Sequence, residues 1–285
     1  MRKYWALKLF TNPVTAPVMF VMDALNGFKA TMELKKQFDA EIEDIAKREN
    51  KHPAIVHREI FNLKTEIVGD RNTIPHDKPT LVVANHPDGY ADVTAFTSFL
   101  AEIRPDFLMF SSDILLQHDW IKDQLLPLAV TNRTDAQNKI KNSQVINQGF
   151  EYIRKGGCVG LFPAKGLPEP ISIMTPVIDK RWTSIPAIAL EIEDAVVVPV
   201  HIDVCRTPFL QAAERLMQRK EHKTIAKVLA GIQRAKMYGS TVRITIGQPL
   251  YQDQSTVPQN ETPDQREARR KKSLTHLYRE SNSPR

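Results

Sequence analysis

The sequence has few cysteines, no long apolar run and none of several familiar catalytic signatures, and each absence removes a class of function. Two cysteines, Cys158 and Cys205, lie in separate apolar stretches of the 285 residues. They offer no disulfide framework and no zinc-finger spacing, and read as buried thiols in a reducing compartment. The longest uncharged run, Leu9 to Met22, is interrupted by Asn12, Pro13 and Pro17 and falls short of the roughly 20 apolar residues a membrane-spanning helix needs. Lys8 and Asp23 bracket it without a small-residue cleavage pattern, which argues against a signal peptide. There is no Gly-x-Ser-x-Gly elbow, no phosphate loop ending in Gly-Lys-Ser/Thr, no dinucleotide Gly-x-Gly-x-x-Gly and no His-Glu-x-x-His. Neither a metal nor a nicotinamide cofactor is implied.

Charge is present in excess of one sign. Lys+Arg of 39 against Asp+Glu of 33 gives a net charge of +6, which favours anionic partners. Anionic lipid, phosphorylated substrates and CoA-like substrates all fit. Nucleic acid ranks last, because no recognition helix or aromatic-interleaved RNA motif accompanies the charge. Near the start, Arg2, Lys3 and Lys8 flank Trp5, Leu7, Leu9 and Phe10, and Val18 to Met22 follow. That combination suits an interfacial membrane anchor; an arm packed on its own domain is the other reading.

The rest of the chain alternates helical and strand patterns. Helical spacings mark residues 28–49, 54–61, 92–101, 113–120, 135–155, 182–192, 210–238 and 264–280, with Ser111-Ser112-Asp113 as a cap and Gly156-Gly157 as a stop. Apolar or alternating runs at 63–68, 81–84, 106–110, 158–162, 195–203 and 242–246 read as strands, and 125–130 is short and apolar. Strands interleaved with helices predict an α/β domain, a mixed sheet covered by helices. The expected organisation is a helical or interfacial arm over 1–62, one catalytic domain over 63–251 and a polar, basic tail over 252–285.

The stretch most suggestive of chemistry is Leu81 to Asp92, LVVANHPDGYAD. Four apolar residues form a buried strand that ends on His86. Pro87 holds His86 extended, Asp88-Gly89 turns the chain, and Asp92 opens an apolar helix. A carboxylate so placed accepts from one ring nitrogen, fixes the tautomer and leaves the other nitrogen as a general base. With no nucleophilic side chain beside them, a substrate hydroxyl would attack directly. Asp88 is the alternative partner.

This segment resembles block I of the glycerolipid acyltransferases of the PlsC type, His, four residues, Asp, in the hemolysin-like and ornithine-lipid-type variant Asn-His-Pro-x-Gly-x-x-Asp. Here five residues separate His86 from Asp92, and Gly89 can absorb the extra one. Three further stretches follow in the superfamily's order. Pro127 to Arg133 resembles block II, which implies that Arg133 helps bind the acceptor phosphate; a surface arginine beside Asp135 is the other reading. Phe162-Pro163-Ala164-Lys165-Gly166 resembles block III, usually Phe-Pro-Glu-Gly-Thr-Arg, but lacks the Glu, Thr and Arg. Lys165 either restores the missing positive charge next to Gly166 or is simply solvated. Val197 to Val200 resembles block IV.

The resemblance, which covers roughly residues 80–205, implies a glycerol-3-phosphate acyltransferase-like fold. It also implies transfer of a fatty acyl group from acyl-CoA or acyl carrier protein to a glycerol-3-phosphate or lysophospholipid-type acceptor in phospholipid biosynthesis. His86 and Asp92 would be catalytic, with Arg133, Lys165 and Gly166 on the acceptor. No cofactor is implied beyond the thioester co-substrate, and the expected location is cytoplasmic, peripheral on an anionic membrane surface. The altered block III keeps two alternatives open: an N-acyltransferase of aminolipid synthesis, and a catalytically inactive lipid-binding module.

Overall fold

The computed structural model describes residues 29–87, 90–129, 135–163, 182–204, 239–251, 257 and 260–282. Its centre is an eight-stranded mixed sheet. In chain order the elements are α1 (Lys29–Glu49), α2 (Pro53–Ile60), β1 (Lys64–Val68), β2 (Thr80–Ala84), α3 (Ala91–Ile103), β3 (Leu108–Ser112), β4 (Leu125–Leu128), α4 (Ala136–Arg154), β5 (Cys158–Leu161), α5 (Ile185–Ala189), β6 (Val196–Val204), β7 (Thr241–Ile246), β8 (Leu250–Tyr251) and α6 (Pro263–Asn282). The strand order is β1-β7-β6-β2-β5-β3-β4, with β8 also paired to β6. Strands β6, β2, β5, β3 and β4 run parallel to one another. β7 and β8 pair antiparallel to β6, and β1 lies parallel to β7.

Strand β2 explains why both faces are covered. Every one of its residues is buried, as expected for a strand with helices on both sides, and its side chains alternate between two apolar clusters. Val82 and Ala84 join Phe38 and Ile42 of α1, Val56 of α2 and Phe96 and Phe99 of α3. Leu81 and Val83 join Phe150 and Ile153 of α4, Ala189 of α5 and Leu277 of α6. The mixed α/β sheet covered by helices is thus the architecture the sequence pattern implied. Gly160 of β5 lets α3 settle closely, because a Cβ there would lie 2.7 Å from Leu100 Cδ1.

Some local expectations shift. The strand placed over 106–110 begins at Leu108, since Arg104 and Asp106 form a side-chain fork before it, Nε–Oδ1 2.8 Å and Nη2–Oδ2 2.7 Å, and Phe107 N–H turns back to Arg104 O. The helix expected through Trp120 is instead a 3-10 turn over Asp113–Gln117 and another over Lys122–Gln124. Successive i→i−3 bonds, His118 to Leu115 and Ile121 to His118, keep it from an α-helical pitch. The helix expected over 182–192 shrinks to α5, because Pro186 fixes its start and Ile192 N–H closes on Ala189 O. The apolar 125–128 run is a strand, and its Pro127 is tolerated because β4 is a sheet edge. The expected helix over 210–238 and residues 1–28 of the expected N-terminal arm lie outside the described residues, whereas the remainder of the arm, 29–62, forms α1 and α2.

Candidate active site

The parallel strands β2, β3, β4 and β5 all end on the same side of the sheet, and a cavity of about 760 Å³ opens there. Its wall takes Met109 to Ser112 from β3, Leu128 and Ala129 from the end of β4, and Leu161 and Phe162 from the end of β5. This is where open sheets with parallel strands hold ligands. His86, two residues past the end of β2, is part of the wall.

His86 Nδ1 lies 2.9 Å from Asp92 Oδ2. Asp92 is fully buried and sits in the first turn of α3, where its Oδ1 accepts the Val93 N–H at 2.8 Å. The helix N-terminus favours a negative carboxylate there. A carboxylate accepting from Nδ1–H leaves the imidazole lone pair on Nε2, the state a general base requires. The ring is held flat by Phe162, stacked at 4.3 Å with planes 19° apart, and Phe162 in turn leans on Phe96 of α3 at 5.1 Å. The five-residue spacing between His86 and Asp92 is therefore compatible with a direct pair.

Asn85 is the positioning residue that the sequence reading did not single out. Its Nδ2 donates to Ile202 O at 2.8 Å, and its Oδ1 accepts from Ile202 N–H at 2.6 Å. The side chain thereby ties the end of β2 to β6 and fixes the exit direction of His86. An asparagine directly before a strand-end histidine was the available signal; its partner, 117 residues away, was not.

The remaining lining is largely apolar, with isolated polar groups. His57 of α2 stacks on Trp120 at 4.4 Å and 15°. His118 Nδ1 faces Asp39 Oδ1 of α1 at 3.6 Å, and Asp39 Oδ2 accepts the Asp119 N–H at 3.2 Å. Thr183 also lines the cavity, with its backbone N–H on Pro163 O. The buried hydroxyl of Thr183 and the buried indole N–H of Trp120 have no hydrogen-bond partner among the described residues. No lysine or arginine appears among the described wall residues.

The structure thus brings His86 and Asp92 together. Arg133, Lys165, Gly166 and Asp88 lie outside the described residues. Cys158 is inert: burial pushes its thiol up to about 12, far from a reactive thiolate. Among the described residues no group of three His, Cys, Asp or Glu is placed to hold a metal, and no helix is long and apolar enough to cross a membrane.

No protein-family model matches the chain, and no curated protein matches it. Among solved structures, the chain is similar to the 1-acyl-sn-glycerophosphate (LPA) acyltransferase PlsC from Thermotoga maritima, at 15% sequence identity over 97% of this chain and 99% of that one. The TM-score is 0.40, too low for the likeness to bear on function, which rests on the site itself.

Proposed function

We propose that the protein is an acyltransferase that moves a fatty acyl group from an acyl-CoA or acyl-carrier-protein thioester to a hydroxyl of a glycerol-3-phosphate or lysophospholipid-type acceptor. The observation that carries this reading is the buried His86–Asp92 pair on the wall of a large, mainly apolar cavity. The pair supplies a general base, and the cavity suits an alkyl chain.

In the proposed reaction His86 Nε2 takes the acceptor hydroxyl proton while Asp92 stabilises the imidazolium. The acceptor oxygen bonds to the thioester carbonyl carbon, and the tetrahedral oxyanion is held by backbone N–H groups near the start of α3. The C–S bond then breaks, and the imidazolium returns its proton to the leaving thiolate. Arg133 and Lys165 follow the cavity-lining ends of β4 and β5 in sequence, and with Gly166 they are proposed to hold the acceptor phosphate. No metal or redox cofactor takes part. The enzyme works docked on an anionic membrane surface.

The test is transfer of radiolabelled palmitate from palmitoyl-CoA and from palmitoyl carrier protein to glycerol 3-phosphate, lysophosphatidate and an amino-acid amine. Acylation of a phosphate-bearing hydroxyl is expected, with His86→Ala lowering kcat by at least about 1,000-fold. Transfer to the amine alone moves the reading to aminolipid synthesis, which the missing Glu, Thr and Arg after Phe162-Pro163 would then explain. No transfer to any acceptor, with chain binding retained, leaves a lipid-binding module.

A further inference from the structure

Strand β4 lies at the sheet edge, and past its last pairing with β3, Ser112 with Leu128, it contributes one more residue to the cavity wall, Ala129. A side chain holds the backbone of that residue. Asn142 of α4 accepts the Ala129 N–H on Oδ1 at 2.7 Å and donates from Nδ2 to Ala129 O at 3.0 Å. One amide thus takes both polar groups of a single residue, as Asn85 does with Ile202 beyond the end of β2. Asparagine is an unfavourable choice inside a helix, and the two bonds supply the reason for one at this place in α4. The chain is also fixed further on: Asp135 Oδ1 caps α4 by accepting the Gln137 N–H at 2.7 Å and the Asn138 N–H at 3.3 Å. Arg133 falls between these two anchors in sequence.

We infer that Asn142 is a positioning residue for the phosphate-bearing acceptor: by holding Ala129 it sets where the chain leaves β4 towards Arg133. The inference rests on the reading of Arg133 as the residue that binds the acceptor phosphate. Asn142 engages both ends of its amide with Ala129 and acts through the backbone rather than on the reacting atoms. A guanidinium grips a phosphate through parallel N–H groups whose alignment matters. A displacement of about 1 Å in the supporting backbone therefore weakens the grip by more than the loss of the bracketing bonds alone. The general base is held separately, since His86 and Asp92 belong to the end of β2 and the start of α3.

The experiment uses the full chain and measures equilibrium binding of two radiolabelled ligands that differ by a phosphate, lysophosphatidate and monoacylglycerol, together with steady-state transfer to each from palmitoyl-CoA. The unaltered protein should bind lysophosphatidate at least about tenfold more tightly than monoacylglycerol. Asn142→Ala should weaken lysophosphatidate about tenfold while monoacylglycerol binding, the KM for palmitoyl-CoA and kcat at saturating acceptor stay within about twofold. In an Arg133→Ala background the same substitution should cost less than about twofold, because the two residues act on one contact. Equal weakening of both ligands by Asn142→Ala overturns the inference, as a mere packing role would produce, and so does full additivity with Arg133→Ala. A lack of phosphate preference in the unaltered protein overturns it with no variant at all, so a folding defect leaves the inference falsifiable. Binding needs no turnover, which separates the two failures: the expected selectivity without product counts against acyl transfer, whereas product with unselective weakening counts against the role of Asn142.

Discussion

Asn85 extends the sheet by one side-chain rung beyond the last backbone pair of β2 and β6, and His86 leaves from that rung. The geometry makes Asp92, rather than Asp88, the expected partner of the histidine. Asp92→Asn should lower kcat by about 100-fold or more with little change in donor KM, because an amide no longer fixes the productive tautomer. If Asp88→Asn causes the larger loss instead, the pair seen here is not the working one. Steady-state kinetics with the two variants decides. The pair was legible because a strand-end histidine, a breaker-rich turn and a helix-start carboxylate are all local in sequence. Ile202, Trp120 and His57 were not, since their roles arise from long-range packing that no local pattern encodes.

At the scale of elements, α6 is the segment whose sequence, polar and basic, least suggests a structural part. Thr262 and Gln265 start it with reciprocal side-chain caps at 3.3 and 2.9 Å, and Leu277 is buried on the sheet. Arg270 and Arg269 both reach Glu191 beyond α5, with contacts from 2.6 to 3.0 Å, and His201 Nδ1–H donates to Ser281 O at 2.8 Å. Arg270, helped by Arg269, holds the Glu191 carboxyl below its ordinary value of 4.5. A depressed carboxylate contributes stability that is complete above that value and is lost as the pH falls below it. Glu191→Gln should therefore cost about 1–2 kcal/mol at pH 7, and the difference from the unaltered protein should shrink towards pH 3. Chemical denaturation at both pH values measures it. Helix existence was readable here from spacing and caps, as it was for α3 and α4. Helix ends were readable only where Gly156 or a cap wrote them, which is why α5 and the 113–120 segment came out shorter than their apolar spacing implied.

For the molecule as a whole, the +6 charge and the proposed lipid acceptor together predict reversible docking on anionic vesicles. Each basic residue near such a surface contributes about 1 kcal/mol, so Arg2, Lys3 and Lys8 with the apolar side chains around them give salt-sensitive binding. Deleting residues 1–26 should reduce sedimentation with phosphatidylglycerol vesicles and spare transfer to a soluble acceptor. Undiminished sedimentation would assign the grip to the basic residues after Leu210 or to α6. The α/β architecture was legible in the alternation of strand and helix signals. The strand order was not, because β2 finds both its neighbours, β5 and β6, far downstream. That order has a consequence for synthesis of the chain. When a ribosome has made the first 150 residues, β2 already exists but both of its edges are bare, and the rung that holds His86 awaits Ile202. The nascent protein thus carries an aggregation-prone strand from the completion of β2 at Ala84 until β6 is made, so ribosome-bound chains halted before residue 202 should remain protease-sensitive around residues 80–92 and gain protection once β6 emerges.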